Sequence, residues 1–149
     1  MVLQSQICLP SGMTFSNQGS IDRFSILNPG CTEIDGAVTI KGDDIVNLNG
    51  LTGLTTINGN LSITFNSLLT NLDGLESLEE VSTLFISSNP ALTDISALNE
   101  INQANGIQIS SNNILPAINA FNHLNSISQT LYISGICSSS IMLPSGSYP

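Results

Sequence analysis

Catalysis at neutral pH needs a titratable group beside a nucleophile or an activated water, and this chain is poorly supplied with such groups. It holds one histidine, one lysine and one arginine among 149 residues. His123 stands between Phe121 and Leu124 of a periodic apolar series and reads as an outward-pointing surface residue. No serine is set in the Gly-x-Ser-x-Gly turn that presents a nucleophile at the end of a strand. β-Helical enzymes that cleave anionic polysaccharides use paired carboxylates with basic residues or a metal nearby, and Lys41 and Arg23 are the only basic side chains here. Asp43 and Asp44, with Asp35 close in sequence, have the hard oxygen chemistry of a calcium site, but their spacing matches no calcium loop and they read as a solvated acidic turn. Glu76, Glu79 and Glu80 read as a charged outer edge. Cys8, Cys31 and Cys137 lack the close spacings of zinc ligands. The expectation is a protein that is not an enzyme and has no cofactor or metal.

Composition narrows the partners. Two basic against eleven acidic side chains give a formal charge of −9, a field that repels nucleic acid and anionic lipid. No apolar run approaches the ~20 residues of a membrane span. Met1-Val2-Leu3-Gln4 is too short for a leader, so an exported form would have lost one. Charged residues are only 9%, and polarity comes from Asn, Ser and Thr, which suit turns and strand surfaces better than helix interiors.

Whatever binds must be positioned by a repeat. Val38-Thr39-Ile40, Leu61-Ser62-Ile63, Leu84-Phe85-Ile86, Ile107-Gln108-Ile109 and Leu131-Tyr132-Ile133 recur every 23 residues, with 24 at the last step. Each alternates inward aliphatic with outward polar or aromatic, the period of a half-buried strand. After each strand comes an apolar series in steps of three: Leu69, Leu72, Leu75, Leu78; Leu92, Ile95, Leu98, Ile101; Leu115, Ile118, Phe121, Leu124. The first repeat carries Leu48, Leu51, Leu54 and Ile57 one place early. Asn49-Gly50, Asp73-Gly74, Pro90 and Pro116 interrupt a helical reading of this series, which predicts short extended pieces bending around a shared core. Asn66, Asn89 and Asn112 keep the same 23-residue register, as an asparagine ladder bonding the backbone of neighbouring coils would.

The ends differ from the middle, as in any stacked array. Ile21, Phe24 and Leu27 lie at helical spacing, after Asn17 and Ser20 and before Asn28-Pro29-Gly30, which predicts a helix lidding the first coil. Cys8 and Cys31 flank it, and a bridge between them would stabilise the lid by about 3 kcal/mol; three buried thiols in a cytosolic protein are the alternative. At the other end the leucine series is missing after Ile136-Cys137, and Leu143-Pro144-Ser145-Gly146 repeats Leu9-Pro10-Ser11-Gly12; an uncapped parallel edge invites association, so either a missing partner segment or a tail folded over that edge is expected.

With the aliphatics inward, Thr39, Ser62, Phe85, Gln108 and Tyr132 would form an outward column. Lys41, Thr64, Ser87, Ser110 and Ser134 would lie on one flank, and Ala37, Asn60, Thr83, Gly106 and Thr130 on the other, with strands about 4.7–4.9 Å apart. Hydroxyls interrupted by two aromatics make a flat platform for a sugar or a protein. A simply solvated face is the plainer reading, and an ice-binding or spacer solenoid is the alternative function, although Lys41, Gln108 and the aromatics spoil a uniform Thr array.

Cys31-Thr32-Glu33-Ile34-Asp35-Gly36, Ile57-Asn58-Gly59-Asn60-Leu61-Ser62-Ile63 and Leu72-Asp73-Gly74-Leu75, with the Cys8 to Cys31 opening, resemble the receptor L-domain family over roughly residues 8 to 135. That family occurs in exported bacterial surface proteins and, more distantly, in insulin-receptor-type ectodomains. The resemblance implies a right-handed parallel β-solenoid, related in style to leucine-rich repeats, whose business is binding and which supplies no catalytic residues. The expected layout is an opening segment with a capping helix at 1–30, about five 23-residue coils at 31–135, and a tail or further segment at 136–149. The expected function is a secreted or cell-surface adhesion module that binds a glycan or protein partner, takes no nucleic acid and does not insert in membranes.

Overall fold

A computed structural model describes residues 7–137. Among the described residues nine strands form one sheet, and every pair in it is parallel. They are β1 (Ile7–Cys8), β2 (Met13–Phe15), β3 (Glu33–Ile34), β4 (Val38–Ile40), β5 (Thr56–Ile57), β6 (Leu61–Thr64), β7 (Glu80–Ser87), β8 (Gln103–Ser110) and β9 (Ser126–Ile133). Each repeat has two extended legs. The first legs pair in the order β1, β3, β5 and then the start of β7; the second legs pair β2, β4, β6 and then its end. From β7 onward the legs fuse into single eight-residue strands.

The fusion follows from one residue. Three residues separate Ile34 from Val38 and Ile57 from Leu61, but only two separate Val81 from Leu84, so pairing runs unbroken through that corner. In the early repeats Gly36 and Gly59 occupy the break, where a Cβ would collide with the backbone at Gly12 and Ala37. β9 regains the extra residue, and the ladder absorbs it as a register shift between Ala104 and Gly106.

The register stacks Phe15, Ile40, Ile63, Ile86, Ile109 and Ile133 in one file. The first five are 0% exposed. Ile34, Ile57, Val81, Ala104 and Ile127 make a second file. The leucine series closes the core from the other side, with Leu72, Leu75, Ile95, Leu98, Ile118 and Phe121 all buried. Removing this aliphatic surface from water is the driving force for stacking, because a single repeat has nothing to bury its inner face against. Within the series only Asn49–Leu51 and Ser96–Leu98 form single turns of 3-10 helix.

The first repeat lacks one corner residue. Phe65, Ser88 and Ser111 turn the chain in the left-handed region, with φ of 57°, 57° and 56°. Each is followed by a buried asparagine. In the first repeat Gly42 instead gives its N–H to Asn66 directly, which is why its leucines arrive one place early.

The N-terminus holds two features that the sequence reading did not include. The sheet reaches back to Ile7, so β1 and β2 already form a first, incomplete layer. The helical segment is two short pieces, α1 (Gln18–Asp22) and α2 (Phe24–Leu27), hinged at Arg23. Asn17 and Ser20 form a reciprocal capping box at the start of α1. Ile21 and Phe24 are buried, with the Phe24 ring edge-on to Phe15 at 5.6 Å, but Leu27 is 70% exposed. Steps of three fall short of an α-helical turn by about 60° each, so the second step carries Leu27 off the buried face.

Candidate functional site

The second legs and the corresponding ends of β7, β8 and β9 present one outward face. Thr39 pairs with Ser62, Ser62 with Phe85, Phe85 with Gln108, and Gln108 with Tyr132. Thr14 of β2 extends this column by one place, a member that sequence reasoning missed because its 25-residue offset from Thr39 breaks the repeat. On one flank Thr64, Ser87 and Ser110 are in register. Lys41 and Ser134 continue that flank, giving their N–H groups to Phe15 and Ile109 carbonyls at 2.9 Å. On the other flank Thr83, Gly106 and Thr130 are in register.

Tyr132 is 53% exposed, whereas Phe85 and Gln108 are half-buried between their neighbours. None of the eleven carboxylates belongs to these columns; they lie on the helical segment, the first legs and the turns. Lys41 is the one charge on the face, and its Nζ sits 4.9 Å from the centroid of the Phe65 ring. Phe65 is 56% exposed and holds its left-handed backbone at a cost of about 1 kcal/mol, where the equivalent residues are serines. Sequence reasoning passed over Phe65 because it stands between strand and turn and follows neither period.

Behind the face, Asn66, Asn89 and Asn112 are each 0% exposed. Their side-chain amides donate to the carbonyls of Ile40, Ile63 and Ile86 at 3.1, 2.9 and 3.0 Å. Asn89 Oδ1 accepts from the Asn66 N–H and side-chain amide, and Asn112 Oδ1 accepts in the same way from Asn89, all at 3.0–3.2 Å. Cys8 and Cys31 form a disulfide with Cα atoms 5.8 Å apart. Cys137 is an exposed free thiol. Residues 143–146, the second Leu-Pro-Ser-Gly, lie outside the described residues.

The titratable groups stay dispersed. His123 Nδ1 lies 3.0 Å from the Asn99 carbonyl oxygen and 3.6 Å from Glu100, on the solvent side. Asp44 accepts the Gln18 N–H at the start of α1 at 3.3 Å. The Ser96 backbone N–H, 2.7 Å away, holds the Asp94 carboxyl below its usual value, with help from the Ser96 hydroxyl and the Asn119 amide against a small opposing effect of burial. Among the described residues no cluster of three or more His, Cys, Asp or Glu side chains could hold a metal ion. A groove of about 170 Å³ opens along the first legs, lined by Asn58, Glu80, Ser82, Gln103 and Asn105. Sequence reasoning missed it, since each first leg contributes too few residues to show alternation. Glu80 is its only carboxylate, and it contains no nucleophile paired with a base.

An all-parallel sheet with its core files in repeat register defines a repeat-built β protein. The model of the receptor L domain matches residues 30–127, about two thirds of the chain, and the chain belongs to that family. Neither the curated proteins nor the solved structures give a match. Receptor L domains are ligand-binding modules. Among the described residues no helix is long and apolar enough to cross a membrane.

Proposed function

We propose that this chain is a non-catalytic extracellular binding or adhesion module that presents its strand face to a glycan or protein partner. Phe85, Gln108 and Tyr132 are the central contacts, with Thr39, Ser62, Thr64, Ser87 and Ser110 around them. The observation that carries this reading is the alignment of these side chains in adjacent strands, on a face without carboxylates and with Tyr132 half exposed. Membership of the receptor L-domain family supports binding, and the disulfide supports an oxidising, extracellular location.

The underlying architecture in this proposal is a right-handed solenoid of five coils. α1 and α2 cap its first coil, and the three buried asparagines are its structural ladder. Its C-terminal edge, where Leu131 and Ile133 are only half-buried, is a surface for association. The net charge of −9 argues against nucleic acid as a partner. Ranked Thr and Ser columns favour ice binding as a second reading, which thermal hysteresis of the purified protein tests directly.

The main reading is tested by probing glycan and ectodomain arrays with the wild type and with a Phe85→Ala/Tyr132→Ala variant. Loss of captured ligands in the variant supports it. Undiminished capture would remove the strand face from consideration.

A further inference from the structure

Resting on that reading, we infer that the ligand is a neutral, extended β-1,4-linked glycan lying along the stacking direction, across the strands. Phe85 and Tyr132 belong to the same column and are two strands apart, with Gln108 between them. Two strand spacings are about 9.6 Å. An extended β-1,4-linked chain rotates each sugar relative to the last, so the same ring face returns once per disaccharide, a distance comparable to this separation. Alternate sugars therefore stack on Phe85 and Tyr132. The sugar between them lies over Gln108, whose amide both donates and accepts.

The surroundings suit hydroxyls rather than charges. Thr83 and Thr130, two strands apart with Gly106 between them, lie on one side, and Ser87 and Ser110, on adjacent strands, lie on the other, so hydroxyls flank both rings. Gly106, two residues before Gln108 on the same strand, is buried, and a Cβ there would come within 3.3 Å of the Thr83 methyl, so the middle of this flank stays low. From Thr14 to Tyr132 the column spans five strand steps, about 24 Å, which gives a chain of several sugars continuous contact.

Charge decides between ligand classes. With all eleven carboxylates off the face, a basic protein would be drawn to the other sides of the molecule, and a polyanion would be repelled by the net charge of −9. An uncharged glycan meets neither obstacle.

The test is isothermal titration calorimetry of the full chain with cellobiose, cellotetraose and cellohexaose, with an alginate hexamer as the anionic comparison. Affinity should step upward once the oligosaccharide is long enough to reach both rings, and raising the salt should leave it unchanged. Phe85→Ala and Tyr132→Ala should each weaken cellohexaose binding about tenfold and abolish the length step. Gln108→Ala, which removes one amide and leaves both rings in place, should weaken binding while keeping the step. Far-UV circular dichroism and the urea midpoint report whether each variant is folded. Absence of cellohexaose binding, tighter binding of alginate, or an affinity indifferent to all three substitutions overturns the inference. If a protein ligand requires both rings while no oligosaccharide binds, the glycan is overturned and the binding face stands.

Discussion

Replacing Asn89 by alanine probes the hydrogen bonding that joins the repeats. The wild-type side chain gives its amide to the Ile63 carbonyl at 2.9 Å and to Asn112 Oδ1 at 3.2 Å, and its oxygen takes the Asn66 N–H at 3.1 Å. All three asparagines are fully buried, so water does not replace the lost partners without opening the core. A buried polar group left unsatisfied costs about 1–3 kcal/mol, and the substitution strips a partner from both the Asn66 N–H and the Ile63 carbonyl. The expected loss is about 3–5 kcal/mol, a large fraction of the stability of a domain this size. Asn122→Ala is the control: it removes a 2.8 Å amide contact to Asn99, but in solvent, and should cost under about 0.5 kcal/mol. Urea unfolding at unchanged m-value measures both. The Asn66→Ala/Asn89→Ala double variant should deviate from additivity, because the two side chains share a bond. If Asn89→Ala costs no more than Asn122→Ala, the buried amides do not hold the repeats together.

Three further expectations follow from local geometry. Reducing the Cys8–Cys31 bridge, or replacing both residues by serine, should lower stability by about 3 kcal/mol, read as a drop in the urea midpoint on adding reductant that the serine variant does not show. Gly74→Ala should destabilise by more than the usual ~1 kcal/mol for glycine, because φ is +112° and the new Cβ would run into the Leu48 carbonyl; Gly53→Ala, at φ +99° with open space, should cost less, both by thermal melting. Asp94 contributes stability that is present above the ordinary carboxylate value of about 3.9 and is lost as pH falls through its depressed folded-state value, so acid titration of wild type against Asp94→Asn should show that decrement only in the wild type.

What could be seen in the sequence depended on which residues alternate. The second legs carry two inward aliphatics around one outward residue, so Ile40, Ile63, Ile86 and Ile109 announced their own pairing, and the flanking columns came with them. The first legs in β3 and β5 are two residues long with a single inward aliphatic, Ile34 or Ile57, too little to show a period. For that reason the groove around Glu80 and Gln103 went unseen. β2 escaped notice because the helical segment inserts between it and β3, shifting Thr14 out of the 23-residue register. The exposure of Leu27 was hidden by a three-residue step that imitates one helical face for a single turn and drifts off it by the second.

Neighbouring repeats pair in parallel with residues 23 apart, or 24 at the last step, and this pairing alone brings Phe85, Gln108 and Tyr132 into one column. Nuclear Overhauser contacts between backbone protons measure it most directly. Cross-strand contacts linking the Ile63 neighbourhood to Ile86, and Ile86 to Ile109, are predicted. Contacts of an antiparallel pattern, or helical contacts three residues apart through Leu84–Ser87, would contradict both the architecture and the proposed binding face.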